Sequence, residues 1–476
     1  MFKVVAAEGD KSMNKLTLFS AIFLSCFSIK GQDLDYFAQL NQPMTFGDAR
    51  YNGLSGAMVA MSGSFSALAL NPAGAALYRQ DAFGFDMGLF NSKNTDVNSG
   101  NIRGNTTSLN VSNFGFLVKN PSNGATLFFT YNSDQIYRER LRANSSEAGS
   151  IMQQWINNSD GTPPEYLNSV GVYEDLLYQS YATDWDSDNR SYFSSAALSN
   201  VSTEHLFFRK GMRNRWTLGG ANQVNSTFYY GASVSIVHSF EKVEVQHKET
   251  FNSTNDLTNL NVEDLWNNSG VGITANAGFL YRPYQFLRIA SAVELPHIYG
   301  FSQDWEVTIS SVRPSVAAVA IDAEGYGTEY QWSMITAPKL RNGATFILGR
   351  TGLISISHTA IPHSWSQSIG NENYLNPVID SLLSMQHVMA AGGEFRIRSV
   401  TLRGGIGYSP SYRDNENRMR RASLGASIRS EELTLHLAWS AVQQQKQYYT
   451  FSSDYTNPIE FQNTLSFISM GAVWKF

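Results

Sequence analysis

The sequence predicts an all-β protein, a transmembrane antiparallel barrel of about 14 strands with a small N-terminal hatch plugging its lumen. Three observations carry that expectation. Side chains alternate with a period of two from Ala82 to the C-terminus. Charged residues are 16%, where globular chains average roughly 25%. After the N-terminal segment there is no run of about 18 apolar residues, so helical membrane spans are excluded there. Aromatics nevertheless reach 13% and mean hydropathy is −0.24. Strands that turn one face to lipid and one to the lumen reconcile these values. At about 150 residues per domain, 476 residues could form three domains, but a barrel readily exceeds that as one unit.

Residues 1–31 read as an export signal. Lys11 and Lys15 supply positive charge, and Leu16 to Phe27 form an apolar core of secretory length, too short to cross a bilayer. Cleavage near Gly31 would leave Gln32 at the mature start, and Met13 opens a more usual signal than Met1 does. Cys26 is the one cysteine, so there is neither a disulfide framework nor a Cys-rich metal site. It follows Phe23-Leu24-Ser25, a weak lipoprotein-type pattern, but reads more simply as part of a discarded signal. A net charge of −5 argues against nucleic acid, which needs a basic stripe.

Residues 32–81 are set apart by small side chains and by the absence of charge between Gly53 and Tyr78. The segment does not alternate, which suggests a short helix and tight turns packed inside something larger. Asn71 precedes Pro72 and must be extended, whereas Gly74 permits a sharp turn.

From Ala82 to Phe476 fourteen strands are expected, near 83–90, 107–119, 125–131, 214–223, 227–248, 270–282, 286–310, 327–349, 353–363, 385–398, 400–408, 419–430, 433–442 and 461–476. In the clearest, Leu433, Leu435, Leu437 and Trp439 share one face, and Thr434, His436, Ala438 and Ser440 the other. Short turns (120–124, 224–227, 283–285, 350–352, 399 and 431–432) alternate with long polar loops (132–200, 252–269, 365–384, 409–418 and 443–460), the mark of a membrane barrel. Only closure hides every strand edge from lipid. The last strand ends on Trp474 and Phe476, and a terminal aromatic there resembles the sorting signal read by the outer-membrane barrel-assembly machinery.

The layout resembles the FadL/TodX family of outer-membrane transporters for long-chain fatty acids and aromatic hydrocarbons. The resemblance rests on the small-residue segment ending in Asn71-Pro72-Ala73-Gly74, the strand count and long outer loops, Thr336-Ala337-Pro338 followed by NGATFILGRTGLISISH (Asn342 to His358), and RASLGASIRS (Arg421 to Ser430). It covers the mature chain. It implies that residues 32–81 are a hatch with Asn71, Pro72, Ala73 and Gly74 as its signature, that residues 82–476 are the barrel, and that the chain sits in the bacterial outer membrane as a monomer. The stretch Ser55 to Phe65 departs from the glycine-pair wording of relatives, which leaves the path of the hatch open.

The function so implied is uptake of small hydrophobic molecules, captured by apolar outer loops and passed beyond a mobile hatch or through a sideways gap in the wall. In the longest loop Ile151, Trp155, Tyr166, Leu176, Leu177 and Tyr178 are the candidate capture residues, against the alternative that they pack the loop on itself. Two short amphipathic helices are expected there, over 152–156 and 173–181. Burial at roughly 25 cal/mol per Å² makes an apolar pocket sufficient for micromolar capture. Arg288, Glu294, Glu394, Arg396, Arg398, Arg403, Arg421 and Arg429 fall on the inward parity, where pairing with each other and with the hatch is their simplest role. One of these arginines could instead fork onto a ligand carboxylate.

No phosphate loop, HExxH or EF-hand motif occurs, and no cofactor or metal is expected. A phospholipase barrel would set His and Ser two apart on an inward face. No histidine here is followed by Ser at that spacing. The eight histidines show no paired spacing of a haem receptor, and a plug disfavours an open porin. An accessory role in protein secretion or assembly is the remaining alternative.

Overall fold

The computed structural model describes residues 34–97, 99–251, 256–316, 321–324, 328–413, 418–448 and 459–476. The expected export signal, with Met13 and Cys26, lies outside the described residues. Twenty strands follow in order: β1 Ala82–Asp96, β2 Ile102–Lys119, β3 Thr126–Ala148, β4 Asp184–Asp186, β5 Ser191–Phe193, β6 Val201–Gln223, β7 Phe228–Thr250, β8 Asn259–Tyr284, β9 Leu287–Glu294 and β10 Ile298–Val312. Then come β11 Ile321–Glu324, β12 Thr328–Ile335, β13 Lys339–Leu348, β14 Gly352–Pro362, β15 Gln367–Ile369, β16 Met385–Ile397, β17 Val400–Ser409, β18 Met419–Arg429, β19 Leu433–Tyr448 and β20 Ile459–Lys475.

These build a closed antiparallel barrel of 14 staves. Each stave pairs with its chain neighbours, and β20 closes onto β1 from Ala82↔Lys475 to Asp96↔Phe461. Two staves are made of two segments each, β9 with β10 and β12 with β13. The breaks, Leu295–His297 and Thr336–Pro338, each contain a proline that cannot donate to a ladder. They also face each other. Thr336 N donates to His297 O at 2.9 Å, and His297 N donates to Thr336 Oγ1 at 2.8 Å. The ladder thus resumes below at Glu294↔Lys339 and above at Ile298↔Ile335.

Burial is inverted relative to a water-soluble sheet. Leu435, Leu437 and Trp439 are 51%, 53% and 42% exposed, whereas His436 and Ser440 between them are buried. The apolar face therefore looks outward to lipid and the polar face into the lumen. No described helix is long and apolar enough to cross a membrane.

Several strands reach further than alternation suggested. β3, expected to end at 131, runs to Ala148, and β6, expected from 214, starts at Val201. The expected loop over 132–200 therefore shrinks to 149–200, and β8 absorbs 259–269. Above the hydrocarbon nothing selects apolar residues on the outer face, where Arg138, Arg140 and Lys210 stand, while inward residues such as Leu260 and Val262 pack against the outer loop, so the lipid-driven pattern disappears there. The loop carries the two expected helices, Met152–Ser159 and Val172–Gln179, and the small β4–β5 hairpin.

Inside the barrel, residues 34–81 fold as helix Leu34–Asn41, short helices Ala49–Gly53 and Phe65–Leu70, and a 3-10 turn Pro72–Leu77. Asp48 caps the second of these, accepting from Tyr51 N at 2.8 Å and from Ser66 N at 3.1 Å. Ser64 caps the third through Ala67 N. The first strand begins at Ala82.

Candidate functional site

Three features distinguish the lumen and its wall: how the hatch is held, what lies above it, and where the wall is incomplete. The hatch is keyed into the wall at positions without side chains. Asn71 Nδ2 donates to Val59 O and to Phe279 O at 3.1 and 3.2 Å, while its Oδ1 accepts from Ala73 N at 3.1 Å. Asn276 on β8 donates to Ala69 O and Leu70 O. A Cβ at Gly231 would stand 2.7 Å from Ala73 N, and one at Gly278 would stand 2.3 Å from Asn71 Oδ1. The same holds for Phe65, whose ring lies over Gly84 and Gly115. Asn71, Pro72 and Ala73 thus touch wall, Gly74 lies against Met61 and Leu68 within the hatch, and all four are buried.

Charge pairing fixes the other side. Arg50 of the hatch meets Glu394 of β16 at 2.7 and 2.9 Å, and Arg403 of β17 shares the same carboxylate at 2.7 Å. Arg421 donates to Thr45 O at 2.5 Å and to Asn52 Oδ1 at 3.3 Å. Of the other lumen charges read from the sequence, Glu294 is fully buried and central. It accepts from Arg215 Nη1 at 3.1 Å, Arg341 Nη2 at 2.8 Å and Lys339 Nζ at 2.7 Å, with His297 Nε2 at 2.8 Å. Arg288 is half-buried, whereas Arg396, Arg398 and Arg429 are exposed at the turn end of the barrel.

Sequence reasoning named Glu294 but missed its partners. Asp134 accepts from Arg215 Nε at 2.8 Å, and Arg213 reaches up to donate to Leu40 O and Gln42 O, both at 2.8 Å. This second group ties the start of the hatch to β6. Of this group alternation marks only Glu294 as inward; Asp134 falls within the expected loop 132–200, and nothing in a linear sequence tells that β6 and β9 meet inside the lumen.

In the outer loop, Ile151, Trp155, Leu176 and Leu177 are buried in one apolar cluster, and Tyr178 packs against it. Trp155 stacks on Tyr173 at 4.8 Å, and Tyr173 Oη donates to Asp264 at 2.5 Å, which also accepts from Trp305 Nε1. Burial and the neighbouring carboxylates push the Tyr173 hydroxyl well above its ordinary range, so it remains a donor. Tyr166 stands apart, 60% exposed. Two histidine pairs that spacing did not reveal also form: His205 with His247 at 3.2 Å, and His358 with His387 at 3.0 Å on the outer face.

Between hatch and wall a cavity of about 90 Å³ is lined by apolar groups, among them Met44, Val59, Leu70, Val388, Met419 and Val442, together with Tyr51, Arg341 and Arg421. Arg341 is buried, and its Nε and Nη1 have no partner among the described residues. The cavity is smaller than the 150 Å³ that accommodates a benzene ring in other proteins.

The wall itself is forked. β2 pairs with β1 over its whole length, but with β3 only from Lys119↔Thr126 up to Asn113↔Asn132. Above that point β2 and β3 part. Each carries an irregularity there, with Ser112 skipped opposite Asp86/Met87 and Asp134 skipped opposite β6. The strands approach again near their outer ends, where Arg103 Nη1 donates to Arg142 O at 3.3 Å and Gly104 lies against Arg140 O. Buried Ser112 Oγ, Asn113 Oδ1, Ser133 Oγ and Asp134 Oδ1 at the fork have no hydrogen-bond partner among the described residues. Just below, on the lipid side, Phe114, Tyr131 and Trp216 pack with ring separations of 4.7 to 5.7 Å. At the closing strand, Trp474 faces out against Phe83 at 5.8 Å, and Phe476 is 70% exposed.

A closed 14-stave barrel with an internal N-terminal plug is the fold of known outer-membrane channels for hydrophobic compounds. Among solved structures, the chain resembles the Pseudomonas putida toluene transporter TodX (TM-score 0.53, 11% identity, 91% of this chain and 99% of that one). It also resembles a Pseudomonas aeruginosa FadL homologue (0.54, 12%, 90% and 98%) and the Ralstonia pickettii toluene transporter TbuX (0.53, 12%, 91% and 99%). No protein-family model matches the sequence, and no curated protein matches it by sequence. At these identities the likeness establishes the fold.

Proposed function

We propose that this protein admits small hydrophobic molecules across a bacterial outer membrane, and that they leave the lumen sideways through the fork between β2 and β3. The observation that carries the reading is the fork itself, in a barrel whose straight path is filled by a hatch held on glycines and on Glu394. A plugged barrel conducts nothing axially, whereas a gap opening beside the Phe114, Tyr131 and Trp216 patch leads an apolar molecule from lumen to lipid without crossing water. Toluene and other monoaromatic hydrocarbons are named for neighbours of this fold, and they suit a path of this polarity. Capture would begin at the outer loop, with Tyr166 exposed and the Trp155 and Leu177 cluster opening to receive a ligand. Arg341, with two unpartnered donors beside the inner cavity, is the group a ligand acceptor would meet. Assembly into the membrane would use the C-terminal strand with Trp474 and Phe476.

Uptake of radiolabelled toluene and of labelled oleate, by cells with and without the gene, tests this reading. A deficit for either compound in the knockout supports it, and unchanged uptake of both rejects it. Deletion of residues 32–81 alongside should turn the barrel into a leaky pore.

A further inference from the structure

Below the hatch, the lumen is divided into two unlike halves. On the side of β1 to β9 apolar groups dominate: Leu117, Phe128, Tyr229, Leu280 and Ala290 pack against the turn Pro72–Leu77, and the inward cations there are Lys119, which donates to Ala76 O and Tyr78 O, and Arg282. From β9 round through β13 to β20 it is basic. Arg50, Arg288, Arg396, Arg403, Arg429 and Lys475 share this half. All but Arg50 lie on the inward parity of their strands, and Arg50 enters from the hatch.

Register places the strand residues in adjoining rows. Glu394 pairs with Arg403, Arg396 with Thr401, Arg429 with Thr434 and Lys475 with Ala82, each row one step nearer the turn end. Glu394 is already shared by Arg50 and Arg403. The nearby acids Glu431 and Glu432 are exposed in the turn after Arg429. Arg288, Arg396, Arg429 and Lys475 make no ion pair among the described residues, and Arg288 Nε is buried without a hydrogen-bond partner.

Four cations without ion pairs, two exposed and two half-buried at the turn end of the lumen, set up a positive potential and raise the local concentration of anions. Arginine forks match an oxyanion better than they match chloride or water. We infer that this vestibule is an oxyanion-binding site open to the periplasmic end, taking a carboxylate or a phosphate group. The site stands apart from the sideways path and does not depend on which hydrophobic molecule uses it.

Titration calorimetry on the full protein in a nonionic detergent at low salt tests the inference, with inorganic phosphate, hexanoate and hexanol as probes. Both anions should bind saturably and hexanol should not. The double variant Arg429→Gln, Lys475→Gln should weaken anion binding at least about tenfold, while heat-dependent gel migration of the folded barrel stays unchanged. Tighter binding of hexanoate than of phosphate identifies the head group of a released amphiphile, and the reverse identifies a free anion. Absence of saturable binding by either anion, or equal binding by the folded double variant, overturns the site.

Discussion

Arg50 of the hatch and Glu394 of the wall form a two-pronged ion pair, Nε to Oε1 at 2.7 Å and Nη2 to Oε2 at 2.9 Å, across 344 positions of sequence. The same guanidinium donates to Ser62 O at 2.5 Å, so one arginine closes a hatch loop and docks it. Glu394→Gln would strand Arg50, half-buried, and Arg403, buried, without a counter-charge. Breaking a buried pair from one side costs about 3–5 kcal/mol, and here the cost falls on hatch docking, not on the strand ladders. Planar-bilayer recordings should show frequent openings in the variant and a quiet wild type, with the thermal unfolding of the barrel little changed.

The glycine seats give a cleaner test of the plug. Gly278→Ala places a methyl 2.3 Å from Asn71 Oδ1, and inserted methylenes in packed sites cost about 1–3 kcal/mol. Limited proteolysis should then cut within the hatch far faster than in the wild type. Gly300→Ala is the control, because a Cβ there meets nothing within 4 Å. Equal cleavage of both variants would mean that the Asn71–Gly74 turn is not held by the wall.

Leu177 is 1% exposed at the centre of the outer cluster with Trp155, Tyr173 and Trp305. Leu177→Ala should cost that cluster about 2–5 kcal/mol. Hydrogen exchange over 149–200 should accelerate while the strands keep their protection, since the loop has its own core above the barrel.

The loop should also respond to pH through Glu174. Burial raises its carboxyl above the ordinary Glu range, with the bond from Asn158 at 3.0 Å partly offsetting it. A carboxyl raised on folding binds its proton more tightly in the folded loop. Its contribution is therefore complete below the unfolded value, about 4.3, and is lost as pH rises through the raised folded value. Exchange in the helix Val172–Gln179 should be slower at pH 4.5 than at pH 7, beyond the intrinsic pH effect, and Glu174→Gln should reduce that difference, the remainder coming from Asp175 and Asp264, whose carboxyls burial also raises.

How much of this could be read from the chain follows from what lipid imposes. Where Leu435, Leu437 and Trp439 face hydrocarbon, alternation is strict and the strand's start at Leu433 could be placed, although the strand runs beyond the expected 442 to Tyr448. Where β3 and β6 rise above it, Arg138, Arg140 and Lys210 stand on the outer face, and the strands read as loop. The lumen was legible as a parity but not as a map. Glu294 was visible as inward-facing, yet Lys339 and Arg341 reach it from the neighbouring stave β13, whose register the sequence does not show, and Arg215 from β6, which is not adjacent to it. The fork left no local mark either, because it is a missing pairing between two strands that are each regular along most of their length.

Sideways exit through the fork is tested most directly by bridging it. With Thr107→Cys on β2 and Arg138→Cys on β3, a reducible bis-maleimide would tie the two strands across the gap. Uptake of labelled toluene should fall to the level of cells lacking the gene once the bridge forms, and should recover when the linker is reduced. Undiminished uptake with the bridge in place would contradict passage between these strands.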